Sequence, residues 1–386
     1  MNARKTLKEA KRIVIKFGTN VVTKESGDIA IGRIYTIIED IAELHSQGKE
    51  ILIVSSGAVG MGRKTINMDS KTKTLPLMQA CAAIGQARLM YLYEEGFDKL
   101  SISIAQVLLT EEDFTDRKRY LNLRSTLNTL LEYKIIPIIN QNDVVSTSEL
   151  EPIAASEDRK VNFGDNDKLS ALVMSKLDAD LLILLTDVDG LYNCNPKINS
   201  EAEIIQHVEK ITPELENLCD DCNLNRSRGG MKSKLEAVKV AVNSGGKAII
   251  ANGKTLNIIK DIFDEKPLGT IFLPVKHLSS KKRWIAYATT VNGGLIVNDG
   301  AKNAVINKNA SLLPAGVVSI KSTFSVGDVV SIIDEKGNEF ARGITNYSSE
   351  DSHKLIGFHS DKIEQVLSYK KYDTIISRDN IVILDK

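Results

Sequence analysis

Hydrophobic positions along this chain fall into two alternating textures. Short apolar runs, at residues 12–17, 50–54, 101–109, 135–139, 180–185 and 247–251, have the length of buried strands. Between them lie stretches whose apolar residues recur at helical spacing, at 31–45, 75–95, about 117–131, 169–177 and about 231–242. Strand and helix in strict alternation predict an α/β fold, a mostly parallel open sheet sandwiched by helices. A further helical stretch and a short strand at 269–273 would complete this first domain, residues 1–273.

Polar residues collect where the predicted strands end, and open parallel sheets bind ligands at that edge. Lys16 precedes Gly18-Thr19-Asn20, and residues 50–54 run into Ser55-Ser56-Gly57-Ala58, a turn in which backbone N–H groups can approach an anion. Asn140-Gln141-Asn142-Asp143 and Thr186-Asp187 close two more strands. Residues 226–234, Arg-Ser-Arg-Gly-Gly-Met-Lys-Ser-Lys, combine two glycines, several cations and a helix start, which suits an anion. Residues 161–172 set Gly164, Asp165, Asn166 and Asp167 directly ahead of a helical pattern. Those polar side chains either cap the helix or hold a ligand at its free N–H groups. The polar stretch 147–160 just before them is expected to form a lid or mobile loop.

After residues 274–283, a polar and basic linker, the texture changes to short strands and glycine turns over residues 284–386. Strands are expected at 293–297, 316–320, 324–333 and 340–344, with a hairpin turn at Gly337-Asn338. A chain of 386 residues is long enough for two such cores.

Composition narrows the partners. Fifty basic and fifty acidic residues cancel, so the chain as a whole is no polyanion binder. Residues 284–386 carry 11 Lys plus Arg against 12 Asp plus Glu, without the basic excess that RNA binding calls for. Residues 1–12 are charged, without the apolar stretch of a secretory leader, and no apolar run approaches a membrane span, so a cytoplasmic protein is expected. Cys219 and Cys222, with Cys194 and His207, have the residue types of a zinc site, but Asp220 and Asp221 between the thiols favour a solvated turn.

Six motifs in order resemble the amino acid kinase superfamily: Lys-Phe-Gly-Thr at 16–19, Ser-Ser-Gly-Ala at 55–58, Asn-x-Asn-Asp at 140–143, Gly-Asp-Asn-Asp at 164–167, Thr-Asp-x-x-Gly-Leu-Tyr at 186–192 and Gly-Gly-Met-x-x-Lys at 229–234. Their order is most similar to its glutamate 5-kinase branch, although Gln141 stands where that branch usually has glutamate, and Ser227-Arg228 replaces its usual Gly-Thr. The resemblance implies ATP and Mg2+ as cofactors and L-glutamate as substrate. It assigns Lys16 and Lys234 to the transferring phosphoryl group and Asp167 to ordering the lysines or the metal. Thr186, Asp187, Arg228, Gly229, Gly230, Met231, Lys232, Ser233 and Lys234 would bind ATP together with Lys16, while Ser56, Asp143 and Asn166 would bind glutamate. It further implies a homo-oligomer, feedback inhibition by proline, and delivery of the product to a glutamyl phosphate reductase. Ser311-Leu312-Leu313-Pro314-Ala315-Gly316 followed by Gly327-Asp328-Val329-Val330 resembles the PUA domain, which implies a small β-rich barrel.

Overall fold

The computed structural model describes residues 3–66, 74–146, 166–194, 196, 199, 201–221, 230–274, 285 and 291–384. The chain divides into two compact units, Met1–His277 and Leu278–Lys386. The loop expected at 147–160 and nearly all of the expected linker fall outside the described residues.

The first unit is built on eight strands: β1 (Arg12–Phe17), β2 (Glu50–Ser55), β3 (Ile104–Leu109), β4 (Ile136–Gln141), β5 (Leu181–Thr186), β6 (His207–Val208), β7 (Lys247–Asn252) and β8 (Thr270–Phe272). They lie in the order β3-β4-β2-β1-β5-β7-β8-β6. Every pairing is parallel except β7 with β8. Among the described residues ten α-helices accompany them: α1 (Thr19–Val22), α2 (Ile31–Ser46), α3 (Ala58–Thr65), α4 (Leu75–Asp98), α5 (Glu112–Thr115), α6 (Arg117–Glu132), α7 (Asn166–Lys176), α8 (Pro213–Asp221), α9 (Met231–Asn243) and α10 (Ile258–Phe263).

Two apolar cores cover the two faces of the sheet, and the period of two along each strand decides which residue enters which. Ile13, Ile15 and Phe17 of β1 join Ile34, Leu89, Tyr93 and Ile259, beneath α2, α4 and α10. Val14 points the other way, with Leu169, Leu172, Leu235 and Val238 of α7 and α9. By the same alternation Lys16 faces α7 and α9, which places an ammonium group among helix starts rather than in the opposite core.

Several boundaries differ from expectation for local reasons. Strand β3 starts at Ile104 rather than 101, because α4 runs on to Asp98 and Ser101, at φ 57°, turns the chain. Strand β4 extends through Asn140 and Gln141, which pair with Leu108 and Leu109. Two residues expected in a polar loop are thereby held in the sheet.

Helices α3 and α4 cross with almost no space between their backbones. A Cβ at Gly85 would lie 1.7 Å from the Ala58 carbonyl oxygen, and one at Gly62 would lie 1.8 Å from that of Cys81. Only glycine permits this approach.

The second unit holds a five-stranded sheet of β9 (Gly294–Val297), β10 (Val317–Lys321), β11 (Val329–Asp334), β12 (Glu339–Ile344) and β13 (Ile381–Ile383), ordered β10-β9-β11-β12-β13. The strand expected at 324–333 is shortened because residues 325–328 turn, with Gly327 at φ 88° and the Asp328 carboxylate accepting from the Ser325 N–H. A helix over Asp299–Lys308 was not expected from the strand-like texture. Asn298 caps it by accepting from the Ala301 N–H at 2.8 Å, and among its residues Val305 alone is buried, so its apolar stripe is too thin to read.

Two outcomes follow. Gly85→Ala should lower the stability of the first unit by roughly 3 kcal/mol, because its methyl group meets backbone that cannot rotate aside; chemical denaturation would measure this. Lys176, buried at the end of α7 with its ammonium 5.2 Å from the Tyr120 ring, has its pKa lowered from 10.5 to about 8 by burial. Between those values the unfolded chain holds the proton that the folded chain has released, so this residue's contribution to stability rises with pH across that window. The difference in melting temperature between Lys176→Met and the unaltered protein should therefore shift in favour of the unaltered protein between pH 8 and 10.5.

Candidate active site

Lys16 is the penultimate residue of β1, and α7 begins with Asn166 and Asp167. Asp167 is wholly buried, while Lys16 is 4% and Lys234 6% exposed. The Lys16 ammonium lies 2.6 Å from Oδ1 of Asp167, and that of Lys234, in the first turn of α9, lies 3.1 Å from Oδ2. Burial alone would push the Asp167 carboxyl up, but the two ammonium groups outweigh it and hold the carboxyl below its usual range. Among the described residues the cluster joins two cations and one anion beside the N-termini of two helices, a setting that favours an anion. Ser233 adds a hydroxyl 3.4 Å from Oδ2 of Asp167.

Asn166 opens a second, uncharged cluster. Its Nδ2 lies 3.0 Å from the Ser55 carbonyl oxygen, 3.0 Å from the Ser56 hydroxyl and 3.1 Å from Oδ1 of Asn140. Asn140 in turn donates to Oε1 of Gln86 at 2.9 Å. Ser55 meets the buried Tyr93 hydroxyl at 2.7 Å, and burial pushes that phenol's pKa up. Asp143 is buried two residues beyond β4.

A third group lies at the end of β5. Thr186 is buried, and Asp187 accepts from Nδ2 of Asn20 at 2.8 Å and from the Thr186 hydroxyl at 3.3 Å. Burial raises the Asp187 carboxyl, the Asn20 and Thr186 hydrogen bonds and nearby Lys254 lower it, and the net shift is downward. Asn252, at the end of β7, donates to Asp189 at 2.7 Å. Strands β1, β5 and β7 are adjacent in the sheet, so these polar ends share one edge.

Of the residues expected in a site, Lys16, Asp167 and Lys234 meet directly, with Ser233 beside them, and Ser56 meets Asn166. Gly230 caps the start of α9, where Met231 and Lys232 follow. Arg228 and Gly229 lie outside the described residues, as do Gly164 and Asp165. The sequence reading missed Gln86, Tyr93 and Asn20. Gln86 carried one signal: with Leu89 and Tyr93 it follows the i, i+3, i+7 spacing of the buried face of α4, a polar residue on an apolar stripe. Of the cysteine and histidine grouping, Cys222 and the side chain of Cys219 lie outside the described residues.

Comparison with known proteins places the chain in a family. Residues 11–252 match the amino acid kinase family and residues 293–367 the PUA domain. Glutamate 5-kinase of Caldanaerobacter subterraneus subsp. tengcongensis is 44% identical over 376 residues, covering 97% of this chain and 98% of that protein. Glutamate 5-kinase of Methanosarcina barkeri is 44% identical over 387 residues, 98% of each, and that of a Geobacter species is 41% identical over 379 residues. With its six ordered motifs and this degree of likeness over nearly its whole length, the chain belongs to the amino acid kinase family and, within it, to the glutamate 5-kinases.

Proposed function

We propose that this chain transfers the γ-phosphoryl group of ATP to the γ-carboxylate of L-glutamate, forming L-glutamyl 5-phosphate, the first step towards proline. The observation that carries this reading is the single buried carboxylate of Asp167 held between Lys16 and Lys234. A γ-carboxylate with a reference pKa of about 4.3 is ionised near neutral pH and needs no general base. The obstacle is an anion attacking an anion. Two ammonium groups fixed in a buried site lower that obstacle, since phosphoryl transfer depends mainly on positioning and on stabilising charge.

Lys16 and Lys234 are assigned to the transferring phosphoryl group, and Asp167 keeps the two cations at a fixed separation. Asn166, Ser56 and Asp143 are assigned to glutamate. Thr186, Asp187 and residues 228–234 are assigned to ATP. Both oxygens of Asp167 are engaged by ammonium groups, so the donor set fits a magnesium ion carried on the nucleotide's phosphates better than one held by the protein. Such an ion adds neutralising charge when bound. The reading extends to a homo-oligomeric cytoplasmic enzyme inhibited by proline, whose labile acyl phosphate passes to a glutamyl phosphate reductase.

Two measurements test it. Incubated with ATP, magnesium, hydroxylamine and a panel of carboxylic acids, the protein should yield the hydroxamate of glutamate; turnover with another acid alone would refute the reading. Lys234→Ala should lower kcat by about 10²–10³, the scale of losing one preorganised electrostatic contact, while the KM for glutamate stays within about threefold. Unchanged kcat would remove Lys234 from the phosphoryl site.

A further inference from the structure

The amides behind Asn166 have directions that can be deduced one from the next. The Ser55 carbonyl oxygen only accepts, so the Asn166 group 3.0 Å from it must be Nδ2. Oδ1 of Asn140 is fixed independently as an acceptor, because the Gln141 backbone N–H donates to it at 2.9 Å. It accepts from Asn166 at 3.1 Å as well, which leaves Nδ2 of Asn140 to find an acceptor, and Oε1 of Gln86 supplies one at 2.9 Å. Two backbone groups thus set the orientation of three side-chain amides.

The ends of this chain are buried groups without a hydrogen-bond partner among the described residues: Nε2 of Gln86 and Oδ1 of Asn166. Gln86 and Asn166 are both more than nine-tenths buried. An orphan of this kind is costly, so an acceptor left open beside Ser56 is matched to a donor that arrives with a ligand. An ammonium group offers three N–H donors and fits that need.

We propose that Gln86 is a positioning residue for the amino-acid substrate: through Asn140 it locks the Asn166 amide so that Oδ1 is kept as the acceptor for the substrate's ammonium group. This rests on the assignment of Asn166 to glutamate. Without an acceptor at position 86, Nδ2 of Asn140 is a buried orphan. Turning that amide over would set donor against donor at both Asn166 and the Gln141 N–H. Either response loosens Asn166. Neither touches Thr186 or Asp187, which among the described residues share no hydrogen bond with the relay.

Gln86→Met keeps the length of the side chain and removes the acceptor; Gln86→Glu retains an oxygen for Asn140. In the hydroxamate assay Gln86→Met should raise the KM for glutamate about tenfold, equivalent to about 1.4 kcal/mol, with the KM for ATP within twofold. Gln86→Glu should return the KM for glutamate to within about threefold of the unaltered enzyme. An unchanged KM for glutamate in Gln86→Met, a parallel rise in both KM values, or equal defects in the two variants would overturn the proposal. Should Gln86→Met fail to fold in a thermal melt, a tenfold rise in Gln86→Glu overturns it. Failure of the unaltered protein to use glutamate would overturn the functional reading together with this inference, whereas a working enzyme with insensitive Gln86 variants overturns the inference alone.

Discussion

Asp167 is wholly buried, a place where burial alone would push its carboxyl up, and the ammonium groups of Lys16 and Lys234 beside it hold that carboxyl below its usual range. Each charge is tolerable only because the others are held within hydrogen-bonding distance, and removing one partner of such a cluster strands the rest. Three segments far apart in sequence must therefore arrive together: the end of β1, the first turn of α7 and the first turn of α9. The parallel sheet and the helices packed on one of its faces form the frame that brings them there. Among the described residues the arrangement holds two cations to one anion. In the proposed reaction that surplus charge would meet the incoming phosphoryl group.

The first turn of α7 contributes to two neighbouring polar clusters of different physical kind. Asp167 faces charges, and in the proposed reaction affinity there would come from Coulomb attraction and the preorganised dipoles of helix starts. Asn166, one residue earlier, meets neutral groups among the described residues: a backbone carbonyl, a hydroxyl and an amide. Adjacent residues at a helix start project in different directions, so one turn of backbone fixes the distance between the two sites. Reacting groups held on one rigid element need little further ordering, and that is where much of the benefit of proximity lies.

Much of this was legible beforehand because it depends on local pattern. Strand runs, helical spacing and polar clusters at strand ends specify an α/β sheet with one ligand edge, and the six motifs point to the residues on it. The alternation of Ile13, Val14, Ile15, Lys16 and Phe17 even contains the direction of the Lys16 side chain, once the helices are assigned to faces. What was not legible depends on contacts between distant segments. Gln86 lies 54 residues from Asn140, and Tyr93 lies 38 from Ser55; no spacing rule links them. The Asp299–Lys308 helix was missed for the opposite reason, since its cap is local but its buried face is a single valine.

Gln86 and Tyr93 reach the site only because α4 lies against α3 at backbone contact distance, and α3 follows directly on Ser55 and Ser56. A helix pair separated by ordinary side chains packs about 8–10 Å between axes, and glycine at the crossing reduces that spacing. Hydrogen bonds of 2.7–2.9 Å leave little room for such a change: moving α4 outward by even one ångström breaks both the Ser55–Tyr93 and the Asn140–Gln86 contacts. The glycines at 62 and 85 touch no substrate group in the proposed reaction. They nonetheless set the depth at which the uncharged half of the site is held, so backbone packing on one face of the sheet and amide orientation at its edge are parts of a single constraint.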